Sequence, residues 1–213
     1  MQTLEHAAPF PAKPPWAESR LVLVVGAPRS ATRTFSRRLH KSGVRADHER
    51  VGRGGSVSSY FAVDDYWYQG PHGQDRRRNY TFTHVWHLVR DPLKTINSLA
   101  AGMPVAWWHW QEKHSGVSAD EPRLRGAMRF WLRWNQICEP QTDFRVRFEE
   151  SDSRWGELCE RLGVAPVTLP EIHAHQRAVP LAPLSWDALK SEDAPLTDAI
   201  REMAVRYGYK EHE

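Results

Sequence analysis

The fold is decided by residues 21–34, whose sequence is LVLVVGAPRSATRT. The first five of these residues are aliphatic, which is typical of a strand buried on both faces of a parallel sheet. The chain then turns at Gly26 and leads into a helix whose apolar positions include Phe35 and Leu39. A strand, a glycine-opened turn and a helix in this order predict the first unit of an α/β fold.

The alternation of strand and helix continues along the chain. A second buried strand is predicted over residues 84–89, and Asp91 and Pro92 then supply an N-cap and a first-turn proline for a helix. The other predicted elements are a weak strand over 44–48, a helix through Ala127 and Cys138, a strand over 144–148, a helix from Trp155 to Gly163 and a last helix from Pro195 to Gly208. We therefore predict an α/β fold with three layers, in which helices cover both faces of a parallel sheet.

Length and composition fit one globular domain. The chain has 213 residues, of which 40% are hydrophobic, and this is enough to form a core and to exclude wholesale disorder. We assign residues 20–213 to the domain and the proline-rich residues 1–19 to an extended arm. Residues 52–56 are rich in glycine and predict a flexible loop.

Charge, cysteine content and hydropathy narrow the class of protein. The net charge of +3 is too small for a dedicated nucleic-acid binder. Cys138 and Cys159 are too few for a disulfide framework or a zinc site. No apolar run approaches the roughly 20 residues that span a membrane, and no signal peptide is recognisable. We expect a cytoplasmic protein with a small-molecule partner and no nucleic-acid or membrane partner.

The turn after the first strand predicts an anion site. Backbone N–H groups and the positive end of the following helix point toward one place there, and arginine and hydroxyl side chains add donors. The candidate binding residues are Pro28, Arg29, Ser30, Ala31, Thr32, Arg33 and Thr34. The alternative is an ordinary strand–helix turn with solvated arginines.

A nucleotide triphosphatase loop, G-x-x-x-x-G-K-[ST], fits this turn poorly. Counted from Gly26, Thr32 takes the place of the lysine and Arg33 takes the place of the hydroxyl that binds magnesium. An arginine does not bind a cation, so a magnesium-dependent kinase or ATPase is disfavoured.

Two motifs resemble those of the sulfotransferases that use 3′-phosphoadenosine-5′-phosphosulfate (PAPS). Residues 26–32, GAPRSAT, are similar to the family's 5′-phosphosulfate loop, G-x-P-[RK]-[ST]-G-T. Arg90, at the end of a strand, is followed by Asp-Pro and, eight residues on, by Ser98, as in the family's motif for the 3′-phosphate. The sequence RFEE at residues 147–150, at the end of a predicted strand, and the sequence YGY at residues 207–209, at the end of the last predicted helix, also resemble the family. The resemblance therefore extends over about residues 20–209.

The resemblance implies a P-loop-like nucleotide-binding fold and assigns roles to residues. Arg29 would contact the 5′-phosphate and the bridging oxygen of PAPS, Arg90 and Ser98 would hold the 3′-phosphate, and the product would be 3′,5′-ADP, with no metal required. The basic, glycine-rich C-terminal segment of the soluble small-molecule enzymes is absent, so the carbohydrate-type and bacterial members are the closer comparison. Ala31 replaces the usual glycine, and we expect it to keep a negative φ.

The acceptor, a hydroxyl of a small molecule or saccharide, needs a base. His48 and Glu49 end the predicted second strand, which in this family lies beside the phosphate loop. A glutamate is common there in related carbohydrate enzymes and favours Glu49, with a lower pH limb below about 6; the imidazole of His48 is the alternative, and a surface pair without function is a third interpretation.

Two other functions stay open: a nucleotide kinase and a non-catalytic binder of phosphorylated nucleotides. We interpret Arg76–Arg78 as a solvated loop and assign no metal to Asp64 and Asp65. Among Trp107, Trp108 and Trp110, we expect core residues, with acceptor stacking by an exposed tryptophan as the alternative.

Overall fold

Five strands form one parallel sheet in the computed structural model, which describes residues 15–64, 76–102, 108–168 and 181–210, with the backbone alone at 108–111. In chain order the strands are β1 (Glu18–Val25), β2 (Ala46–His48), β3 (Gly55–Val57), β4 (Tyr80–Val89) and β5 (Phe144–Arg147). Their order across the sheet is β2-β3-β1-β4-β5, and every neighbouring pair is parallel. The predicted strand at 21–25 is thus the central strand.

Helices follow β1, β4 and β5 in the chain. They are α1 (Thr32–Lys41), α2 (Pro92–Gly102), α3 (Trp108–Ser115), α4 (Arg123–Cys138), α5 (Trp155–Arg161), α6 (Trp186–Glu192) and α7 (Ala194–Arg206). Asp91 caps α2 as predicted, because its side chain accepts the Lys94 N–H at 2.9 Å. The predicted ends at Gly163 and Gly208 are confirmed, since each glycine has a left-handed φ just after its helix, and α1 ends in the same way before Gly43.

The two faces of the sheet pack against different helices. Val22 and Val24 of β1 join a core with α1 and α5, whereas Leu23 and Val25 join a second core with α2, α4, α6 and α7. All four side chains are fully buried, and each contributes about 1.5–3 kcal/mol through burial. The predicted α/β class, with helices on both faces of a parallel sheet, is confirmed.

The predicted flexible loop at 52–56 is partly wrong. Gly55 and Ser56 belong to β3, which is buried and lies between β1 and β2. At Gly55 an added Cβ would lie 1.7 Å from the Val22 carbonyl oxygen, so glycine is what lets the two backbones approach. The predicted second strand, β2, is therefore one strand removed from β1.

β1 and β4 are longer than predicted because they pair with each other from their first residues, Glu18 with Tyr80. β1 thus begins inside the range assigned to the arm, while residues 1–14 of that arm lie outside the described residues.

Cys138 and Cys159 are buried free thiols. In the described part of the chain, no helix has the length and apolar character needed to cross a membrane.

Candidate functional site

The connections of β1 and β4 leave the sheet on opposite faces, and this is the topology that forms a ligand crevice in open α/β sheets. β1 and β4 are neighbours, yet α1 packs on one face and α2 on the other. In open α/β sheets, ligands bind outside the carboxyl ends of the strands at such a switch point. The two segments that flank this point are residues 26–31 and residues 90–98, which contain the two motifs singled out from the sequence.

The loop between β1 and α1 has an unusual backbone. Arg29 and Ala31 have φ values of 71° and 64°, in the left-handed region that disfavours residues with a Cβ. The expectation of a negative φ at Ala31 is therefore wrong: alanine adopts a left-handed conformation that glycine, the residue at this position of the motif it resembles, adopts more readily. Gly26 is fixed by packing, because an added Cβ would lie 2.3 Å from the Leu88 carbonyl oxygen. Strain of this kind, of the order of 1–3 kcal/mol per residue, is typical of functional loops.

The N-terminus of α1 is open to an anion. Its N-cap, Ala31, makes no side-chain hydrogen bond, and the first turn contains no acidic residue. The first N–H groups of a helix have no acceptor within that helix, and the dipole adds about half a positive charge there. A carboxylate or hydroxyl of the N-cap residue usually accepts hydrogen bonds from these N–H groups. Ala31 has no such side chain, so these N–H groups can donate to a bound anion.

Three predicted residues converge over the crevice. Arg29 Nε donates to Ser98 Oγ at 2.8 Å, and Arg90 Nη1 donates to the Arg29 carbonyl oxygen at 3.0 Å. Arg29 is exposed, whereas Arg90 and Ser98 are half-buried. Among the described residues no carboxylate forms a salt bridge with Arg29 or Arg90. The two motifs thus present two guanidinium groups whose charge no carboxylate among the described residues neutralises.

The remaining loop residues differ in how far they are exposed to solvent. Pro28, Ser30 and Thr32 are buried, Arg33 is exposed and Thr34 is half-buried. The Ser30 N–H donates to the Ala27 carbonyl oxygen at 3.1 Å, so this N–H is used within the loop. The structure therefore brings Arg29, Arg90 and Ser98 together most directly.

Glu149 ties the second motif to the C-terminal end of the chain. One of its carboxylate oxygens accepts the Asp91 N–H at 3.0 Å, and the other accepts the Tyr209 hydroxyl at 2.9 Å. Burial is the main cause that raises the pKa of Tyr209, so this hydroxyl stays a donor. Glu149 follows β5, and its contacts fix the start of α2, which carries Ser98.

His48 and Glu49 lie on the other side of the loop between β1 and α1. Although β3 separates β2 from β1, the His48 Nε2 atom lies 3.1 Å from Thr32 Oγ1. The same nitrogen lies 3.5 Å from Glu49 Oε1. Glu49 has a φ of 58°, the third left-handed non-glycine among the described residues. The structure thus places His48 beside the N-terminus of α1 and the Glu49 carboxyl group next to His48.

Two serines that sequence reasoning missed hold the Glu49 carboxyl. Ser58 Oγ donates to Glu49 Oε2 at 2.6 Å, and the Ser59 N–H donates to Oε1 at 3.3 Å. Both serines are buried and directly follow β3. Their only signal in the sequence is a Ser-Ser pair after a segment that was interpreted as a loop.

Burial of the Glu49 side chain, which is 9% exposed, raises its pKa to about 7, and the hydrogen bonds from Ser58 and Ser59 only partly oppose this effect. A carboxyl group with this pKa exchanges a proton readily near neutral pH. For a Glu49 base, this pKa moves the expected lower limb of the pH profile from below about 6 to near 7, because desolvation was not visible in the sequence.

The described residues contain no group of three or more His, Cys, Asp or Glu side chains that could hold a metal ion. Asp64 instead accepts the Arg78 N–H at 3.4 Å and lies 3.7 Å from Arg78 Nε. Arg77 lies over the Phe82 ring at 4.9 Å. Asp65, Trp107 and the side chains of Trp108 and Trp110 lie outside the described residues.

Comparisons with known proteins give one weak likeness. No protein-family model matches the chain, and no curated protein matches it. Among solved structures, a sulfotransferase domain from the curacin biosynthetic pathway is similar, with 14% sequence identity, a TM-score of 0.47 and coverage of 91% of this chain and 99% of that chain. A likeness of this size carries no information about activity.

Proposed function

We propose that this protein is a sulfotransferase that moves a sulfuryl group from PAPS to a hydroxyl of a small-molecule or saccharide acceptor. The observation that carries the proposal is the convergence of Arg29, Arg90 and Ser98 at the switch point between β1 and β4. Two guanidinium groups without a carboxylate partner among the described residues, beside an uncapped helix N-terminus, suit a ligand with two separated phosphates.

The two phosphates of PAPS would bind to the two segments that follow β1 and β4. The loop after β1 and the first N–H groups of α1 would hold the 5′-phosphate, with Thr32, Arg33 and Thr34 at the start of that helix. Arg90 and Ser98, which follow β4, would hold the 3′-phosphate. Arg29 reaches from the first segment to the second through its bond to Ser98, so one side chain lies between both positions.

The reaction needs charge compensation at the leaving group. In the transfer, the acceptor oxygen forms a bond to sulfur while the bond between sulfur and the 5′-phosphate oxygen breaks, and the electron pair of that bond stays on the phosphate oxygen. Arg29 would stabilise this charge with a fixed guanidinium. A sulfuryl group carries less charge than a phosphoryl group, so an arginine can take the part that magnesium plays in kinases.

The acceptor proton needs a base, and we assign that role to Glu49 rather than to His48. Glu49 is held by two serine donors and has a pKa of about 7, which suits proton uptake at neutral pH. His48 lies between Glu49 and Thr32 and would orient the carboxyl group relative to the phosphate loop.

Calorimetry separates this function from its alternatives. We expect the protein to bind 3′,5′-ADP without magnesium more tightly than ATP with magnesium. A nucleotide kinase would show the reverse order. Incubation with radiolabelled PAPS and a panel of hydroxyl acceptors, mainly saccharides and phenols, then tests for transfer. Tight binding of 3′,5′-ADP with no transfer to any acceptor would instead favour a non-catalytic nucleotide binder.

A further inference from the structure

The hydroxyl group of Ser58 has all three of its hydrogen-bonding positions occupied. Its side chain is fully buried, and its Oγ accepts the Tyr60 N–H at 3.0 Å and the Phe61 N–H at 3.3 Å. Its own N–H donates to the Val24 carbonyl oxygen of β1 at 2.8 Å, which fixes the backbone beside the central strand.

A hydroxyl group has one hydrogen to donate and two lone pairs that accept. At Ser58 both lone pairs face N–H groups, which can only donate. The remaining hydrogen therefore points to Glu49 Oε2, at 2.6 Å. The hydroxyl could accept from Glu49 only by turning its hydrogen toward one of these two N–H groups and losing that bond. Oε2 is therefore held as an acceptor in either charge state of the carboxyl group.

We propose that Ser58 is a positioning residue that makes Oε1 the proton-accepting atom of Glu49. When the carboxyl group is protonated, its hydrogen is excluded from Oε2, where it would meet the Ser58 hydrogen. The proton is then carried by Oε1, the oxygen that lies 3.5 Å from His48 Nε2. His48 is the titratable group of the described residues that is in contact with this oxygen, and Ser59 adds a weak N–H donor at 3.3 Å. The inference rests on the proposed role of Glu49 as the base.

The test uses Ser58→Ala, with Ser56→Ala as the matched control. Ser56 is also fully buried, two residues earlier in the same segment, but its Oγ donates to the Asp47 carbonyl oxygen at 3.4 Å and not to Glu49. In Ser58→Ala we expect turnover to fall about tenfold or more, because a hydrogen bond to the charged carboxylate is lost. The lower limb of the pH profile should rise by about one pH unit, since the ionised form loses its donor. The apparent KM for PAPS should change less than twofold in either variant.

A measurement that does not depend on activity keeps the inference separate from the proposed function. Carbon-13 NMR of glutamate-labelled protein follows the carboxyl group directly, and the Glu49 signal is the one missing from Glu49→Gln. We expect its titration midpoint to rise in Ser58→Ala and to stay within about 0.2 pH units of the unmutated protein in Ser56→Ala. An equal midpoint in both serine variants would overturn the inference.

The outcomes distinguish the two proposals. A raised midpoint in Ser58→Ala, with no sulfuryl transfer by the unmutated protein, would support the role of Ser58 and refute the proposed function. If Ser58→Ala does not fold, because the Tyr60 and Phe61 N–H groups lose their acceptor, Ser58→Cys takes its place. A thiol has nearly the same shape but is a weak donor, so the midpoint should still rise, and an unchanged midpoint would again overturn the inference.

Discussion

Arg29 donates from Nε to the Ser98 hydroxyl at 2.8 Å, although the two residues are 69 positions apart in the chain. The contact joins the loop after β1 to the helix after β4, on either side of the switch point of the sheet. Arg90 adds a second link, because it donates to the Arg29 carbonyl oxygen. The two motifs that are separate in the sequence therefore form one cationic site.

Arg29→Ala should lower turnover much more than it lowers affinity for 3′,5′-ADP. Its charge matters most when the leaving group develops in the transition state, so we expect a loss of about 10²–10³ in kcat. Steady-state kinetics and calorimetry measure the two effects. Arg37→Ala, an exposed arginine on α1, is the control for net charge. A variant whose KM rises while kcat stays constant would make Arg29 a binding residue only.

Arg90→Ala should weaken 3′,5′-ADP much more than 5′-AMP, because only the first ligand carries a 3′-phosphate. One charge-assisted hydrogen bond contributes about 1.5–3 kcal/mol, which corresponds to roughly a 10- to 150-fold loss in affinity. A small loss for 5′-AMP is also expected, since Arg90 supports the Arg29 carbonyl oxygen. Lys94→Ala, at an exposed cation on α2, the helix that follows Arg90, should affect neither ligand. Equal losses for both nucleotides would remove Arg90 from the 3′-phosphate site.

Ala31→Gly should stabilise the protein by about 1 kcal/mol, because glycine adopts a φ of 64° without the cost that a Cβ imposes. Urea unfolding at constant pH measures the change. Ala27→Gly is the matched control: Ala27 is buried in the same loop and is not among the positive-φ residues, so glycine there should destabilise by about 0.5–1 kcal/mol. If both variants lose stability, Ala31 is not strained.

The sequence predicts the parts of the fold that depend on local pattern. The aliphatic run at 21–25 and the Asp-Pro pair at 91–92 each determine an element through residues next to one another. β3 was not predictable in this way, because a three-residue strand that begins with Gly55 forms only through pairing with β1 and β2. The left-handed φ of Ala31 is likewise imposed by tertiary structure against local preference.

The candidate site, like the fold, is only partly predictable from the sequence. Arg29, Arg90 and Ser98 are recognisable from motifs, and the order of parallel strands brings them to one edge. The donors to Glu49 follow β3, so they could not be assigned before that strand was known. The raised pKa of Glu49 depends on its burial in the folded protein, which the sequence does not show.

Glu49→Gln should lower turnover by about 10²–10⁴ while 3′,5′-ADP binding stays intact, because a base for the acceptor does not contact the nucleotide. His48→Asn should reduce turnover less, since His48 touches Thr32 and Glu49 and only orients them. The lower limb of the pH profile of the unmutated protein should lie near 7, at the pKa of Glu49. Full activity of Glu49→Gln, with loss of activity in His48→Asn, would reverse the two roles.

Glu49 should also make the protein less stable as the pH rises, independently of activity. Its pKa is about 7 in the folded protein against 4.5 for an unperturbed glutamate, so the unfolded chain ionises first. Stability from this group is fully present below about pH 4.5 and is lost as the pH rises through 7, by at most about 3 kcal/mol. Glutamine does not ionise, so Glu49→Gln should gain stability relative to the unmutated protein between pH 4.5 and 8. Urea unfolding across this range measures the gain, and Glu160→Gln, at an exposed position on α5, should show no comparable trend. A constant difference between Glu49→Gln and the unmutated protein at every pH would mean that the Glu49 carboxyl group is not desolvated in solution, and that its proton affinity is not tuned for catalysis near neutral pH.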